Sequence, residues 1–84
     1  MRFDELEFAR NADKEYRGFA QNALDALQNN NDYNLRQEIS LERGYYNACI
    51  NLVSCIVDHG DCEKRRLENY VVSNHNIFGK ILNE

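Results

Sequence analysis

The stretch from Asn34 to Asp58, "NLRQEISLERGYYNACINLVSCIVD", constrains the fold more than any other part of the chain. On a helix, at about 100° per residue, its apolar side chains fall into two adjoining stripes. One holds Leu35, Ile39, Tyr46, Ile50, Val53 and Val57, and the other holds Leu41, Tyr45, Ala48, Leu52 and Ile56. Together they cover roughly 220° of the helix, against the roughly 100° or more that a surface helix shows. Arg36, Ser40, Arg43, Gly44, Asn47, Asn51, Ser54 and Asp58 are left as a polar edge. A helix of this kind has to pack on two sides. The chain is therefore expected to be all-α, a small bundle of about three helices with this second helix central.

The flanking segments agree. Asp4 is placed to cap a first helix with Glu7 at the third helical position, and Phe3 and Phe8 occupy the positions of a hydrophobic staple. Behind them Phe8, Ala9, Ala12, Tyr16, Phe19, Ala20, Ala23, Ala26 and Leu27 recur at helical spacing, which predicts a helix to about Gln28. The run Asn29-Asn30-Asn31-Asp32 should end it, because asparagine tolerates the left-handed backbone and competes for helical hydrogen bonds. The second helix is expected to begin near Asn34 and to end near Asp58, with Gly60 just beyond its end. Asp61 is the expected cap of a third segment whose Leu67, Tyr70, Val71, Ile77, Phe78, Ile81 and Leu82 share one arc. The weak helix formers in "VVSNHN" leave a break near Ser73–Asn76 and one continuous helix equally open.

With 84 residues, the chain is expected to form one domain, burying only about 60% of its unfolded surface. Its formal net charge is −4, and acids and bases are interspersed: four bases against six acids over 1–31, two against four over 32–60, and four against four over 61–84. An acidic, mixed surface disfavours nucleic-acid binding. Three cysteines at irregular spacing imply no disulfide framework. Asp4, Glu5 and Glu7 stand where a secretory leader would be positive, and no apolar run is long enough for a bilayer. A cytoplasmic protein with no membrane partner is expected.

Candidate chemistry is sparse. Cys55, His59 and Cys62 form C-x3-H-x2-C, which puts Cys55 and His59 one turn apart. A structural zinc site also needs a fourth ligand, from His75, Cys49 or an acid, and usually has paired cysteine spacing. The simpler reading makes Cys49 a small core filler and Gly60-Asp61 a stop followed by a cap, so no metal or cofactor is expected. Lys64-Arg65-Arg66 fan out around a helix instead of forming one basic face. No phosphate loop, nucleophile elbow or H-E-x-x-H pattern is present, and an enzyme is not expected.

Glu42 is more informative. It falls inside the apolar arc one turn after Glu38, where a carboxylate is costly unless paired. It should either meet an arginine such as Arg10, Arg17 or Arg43, or serve with Glu38 as an acidic anchor for a partner. Tyr45 and Tyr46 combine large rings with hydroxyls suited to a wet rim, as at interfaces. Gly44 lowers helix propensity and suggests a close approach or a bend. The candidate partner-binding residues are thus Glu38, Leu41, Glu42, Tyr45, Tyr46, Ala48 and Leu52.

The segment "LRQEISLERGYYNACINLVSCI", residues 35 to 56, resembles the helical segments of small, acidic, phage-encoded accessory proteins, a group that includes anti-defence inhibitors such as anti-CRISPRs. The resemblance implies a stoichiometric binder of a host or phage protein, working in the host cell cytoplasm. The expected function is a non-enzymatic protein–protein interaction module, an inhibitor or an assembly factor. It should be homodimeric through the Leu41–Tyr45–Ala48–Leu52 stripe. The alternative is a ligand-sequestering or metal-binding helical protein.

Overall fold

A computed structural model describes residues 4–56 and 60–83. These form three helices: α1, Glu5–Gln28; α2, Asp32–Ser54; and α3, Asp61–Leu82. Each packs against the other two, as the expected small all-α bundle. The N-terminal end of α1 meets the C-terminal end of α2 and the start of α3, so the helices run up, down and up in a rod 45 × 22 × 17 Å in extent.

The first helix starts as its sequence directs. The Asp4 carboxylate accepts from the Glu7 backbone N–H at 3.1 Å. The Phe8 ring is buried; its expected staple partner, Phe3, lies outside the described residues. At the other end, Asn30 adopts φ 53°. The Asn31 N–H then reaches the Ala26 carbonyl at 2.8 Å and the Asn30 N–H reaches that of Leu27 at 3.3 Å. This is the Schellman pattern, with asparagine at the position usually held by glycine. The Asn31 side chain also accepts from the Asn34 N–H at 3.1 Å, which caps the next helix. One residue both closes α1 and opens α2, so α2 begins at Asp32, slightly before the expected start.

The end of α2 differs more. The helix stops at Ser54, four residues short of Asp58. The Cys55 N–H is shared between the carbonyls of Asn51 at 3.2 Å and Leu52 at 3.1 Å, and Ile56 donates to Val53 at 3.2 Å. These tightened bonds take the chain off the helix while Ile56 turns into the core. Gly60 accordingly does not end α2. It occupies the N-cap position of α3 with extended backbone, and Asp61 is the first helical residue instead of the cap. Helix α3 runs unbroken through Ser73–Asn76, because Val71 and Phe78 on either side are buried against its neighbours and packing outweighs local propensity. At Gly44 a Cβ atom would meet nothing within 4 Å, so no close approach requires that glycine.

The core has two parts. Phe8, Cys49, Val53, Ile56, Leu67 and Val71 form one end. Tyr16, Ala23 and Phe78, flanked by Phe19, Leu35, Ile39 and Leu82, form the other. Ala12 and Ala23 are fully buried on α1, and their small side chains let the helices approach closely. Tyr45 packs against both clusters.

Candidate functional site

Two features stand out from the packing: a polar node between the helices, and an apolar face that α2 leaves outside.

The node takes one residue from each helix. Glu42, 2% exposed, is the buried charged residue of the described chain. Its Oε2 accepts a hydrogen bond from the Tyr16 hydroxyl at 2.6 Å and stands 2.7 Å from His75 Nδ1. A carboxylate oxygen only accepts, so for ionised Glu42 the proton lies on Nδ1. The Tyr46 ring stacks on the His75 imidazole with centroids 4.2 Å apart and planes 26° from parallel, holding the ring towards Glu42. Burial, and then the bond to Glu42, hold the Tyr16 phenol far above the usual tyrosine range. The arginine expected beside Glu42 is therefore replaced by a phenol and an imidazole. Both sit on the apolar arcs of their helices, Tyr16 between Ala12 and Phe19, His75 between Val71 and Phe78. A polar-tipped residue on each of three apolar arcs was the available signal.

The candidate partner-binding residues divide. Glu42 is buried between α1 and α3, and Tyr46 is half-buried against His75 of α3. Glu38, half-buried, accepts from Asn22 Nδ2 at 3.2 Å at the rim between α1 and α2. Tyr45 is half-buried, edge-on to Tyr16 at 5.8 Å and Phe19 at 5.9 Å. Burial, and then the neighbouring Cys49 thiol, raise the Tyr45 phenol above its ordinary range. Burial likewise raises the Cys49 thiol, in keeping with a core position. Leu41, Ala48 and Leu52 remain outside, with the two leucines 51% and 49% exposed. Beside them a groove of about 460 Å³ lies between α1 and α2, lined by Phe8, Asn11, Glu15, Tyr45, Ala48, Cys49 and Leu52.

The chain matches no family model, no curated protein and no solved structure.

Cys55 and Cys62 are exposed free thiols, and His59 lies outside the described residues. Among the described residues no group of three or more His, Cys, Asp or Glu side chains is arranged to hold a metal ion. Of the basic triplet, Arg66 pairs with Glu5 at 3.0 Å on the surface. No described helix is long and apolar enough to cross a membrane.

Proposed function

We propose that the chain is a non-enzymatic protein-binding module that acts by occupying a partner's surface. The contact face is the outer stripe of α2: Leu41, Tyr45, Ala48 and Leu52. The observation that carries the reading is the exposure of Leu41 and Leu52 on one side of a helix whose other side is locked in the core. Leucines presented in a row along a rigid helix, beside a groove, are the usual mark of an interaction surface. The polar node supports the reading from inside. Tyr16 and His75 both direct their polar atoms to Glu42, which suits a device that fixes helix register. A stoichiometric inhibitor in the host cytoplasm, as the resemblance to phage anti-defence proteins implies, or an assembly factor, are the forms this function takes.

The test compares wild type with Leu41→Glu/Leu52→Glu as bait in the native host. Wild type should retain a defined protein in stoichiometric amount, and the variant should lose it while keeping its helical circular dichroism and melting temperature. Retention of the same protein by the folded variant overturns the assignment of this face.

A further inference from the structure

The charge along the α1–α2 face identifies the kind of partner it fits. Towards the turn between the two helices, the apolar groove gives way to a second hollow of about 360 Å³, lined by Asn22, Asp25, Ala26, Asn29, Asn31, Asn34, Gln37 and Glu38. Taken together, the two hollows are lined by three carboxylates, Glu15, Asp25 and Glu38, and by no lysine or arginine. Four of the bases lie elsewhere. Arg17 lines a groove between α1 and α3, and Arg66 lines another beside Glu5. Arg36 and Arg43 fall on the side of α2 opposite the Leu41–Leu52 stripe, at about 100° per residue. The face is thus apolar along Leu41, Ala48 and Leu52, and the charged residues lining its two hollows are all acidic.

We infer that, on the proposed function as a binding module, this face seats a cationic amphipathic helix of the partner protein. Its apolar side lies against Leu41, Ala48 and Leu52, and its lysines or arginines face Glu15 and Glu38. From Glu38 to Leu52 the stripe spans about 21 Å, the length of a helix of about 14 residues. A second copy of this chain fits less well, since symmetric pairing through the same face brings both sets of carboxylates to one seam without a lining base between them.

The probe is a synthetic Leu/Lys peptide with leucines at the a and d positions of a heptad. Controls are a scrambled peptide of the same composition and a Leu/Glu peptide with the same apolar pattern. Titration calorimetry should show binding of the amphipathic Leu/Lys peptide alone. Glu15→Gln/Glu38→Gln should weaken it at least five-fold, and Glu15→Gln alone, which leaves the Asn22–Glu38 bond intact, at least two-fold. The charge-matched variant Asp61→Asn/Glu68→Gln on α3 should bind as wild type does. Equal weakening by that variant, equal binding of the scrambled or Leu/Glu peptide, or no binding of the Leu/Lys peptide overturns the inference. Sedimentation keeps it separate from the broader reading. A wild-type dimer dissolved by Leu52→Glu puts a second copy on the face, overturning the cationic helix while sustaining the face as an interface.

Discussion

The Tyr16 hydroxyl and the His75 imidazole converge on a single oxygen of Glu42, at 2.6 and 2.7 Å, so one atom ties α1 and α3 to α2. A buried carboxylate recovers its desolvation cost only while its partners are in place. Removing it strands the others, whereas replacing all the partners with apolar groups can be neutral or stabilising. Glu42→Met should therefore cost about 3 kcal/mol, the low end of the range for a broken buried pair. The low end applies because the His75 side chain is 40% exposed. The triple variant Tyr16→Phe/Glu42→Met/His75→Leu should recover most of that loss. Urea denaturation of wild type, Glu42→Met, the triple variant and the single variants Tyr16→Phe and His75→Leu measures the non-additivity. Additive losses would remove the node as a unit.

Alkaline pH should weaken the fold through the buried phenols. Burial raises Tyr16 and Tyr45 above their ordinary value of 10.0. Both phenols hold their protons more tightly in the folded chain, so above pH 10 the unfolded chain binds fewer protons and stability falls as pH rises. Below that value both states are protonated and the stabilisation is fully present. Tyr45→Phe removes one of these losses and should shift the alkaline unfolding transition upward. An unchanged transition, followed by circular dichroism alongside the tyrosinate absorbance band, would contradict the packing of the half-buried Tyr45 ring against the core.

The Asn30 backbone should favour glycine over any branched residue. Its φ of 53° lies in the left-handed region. Asn30→Gly should be neutral or slightly stabilising, whereas Asn30→Val should cost about 1–2 kcal/mol. Thermal melts decide it, and equal stability of the two variants would rule out the left-handed turn.

Leu52 and Val53 are adjacent and should behave in opposite ways. Val53 is fully buried, and Leu52 is half exposed. Val53→Ala should cost about 2 kcal/mol through lost contacts and the cavity left behind. Leu52→Ala should stay within about 0.5 kcal/mol of wild type. A large loss at Leu52 would move the outer stripe into the core.

Gly44 offers a gain. Its surroundings are open and it lies inside α2. Gly44→Ala should stabilise the chain by about 0.5–1 kcal/mol, through helix propensity and a smaller unfolded-state entropy. A loss on chemical denaturation would show that the backbone there needs glycine.

The sequence by itself determined the three helical segments and both ends of α1. The 3.6-residue period of the apolar positions is a property of each segment alone, and so are the Asp4 cap and the asparagine turn, whose hydrogen bonds span only a few residues. Where the chain leaves α2 was not legible, because it depends on Ile56 reaching a core built with Phe8, Leu67 and Val71 from the other helices. The continuity of α3 across "VVSNHN" has the same origin, since burial of Val71 and Phe78 outweighs the poor propensity between them. The pattern showed that α2 carries more apolar surface than one neighbour could cover. Only the tertiary structure decided that Leu41 and Leu52 stay outside. It also gave Glu42 a tyrosine and a histidine for partners in place of an arginine. Both outcomes depend on the rotation of each helix about its axis, which is set by the side chains of all three packing together and is written in no one of them.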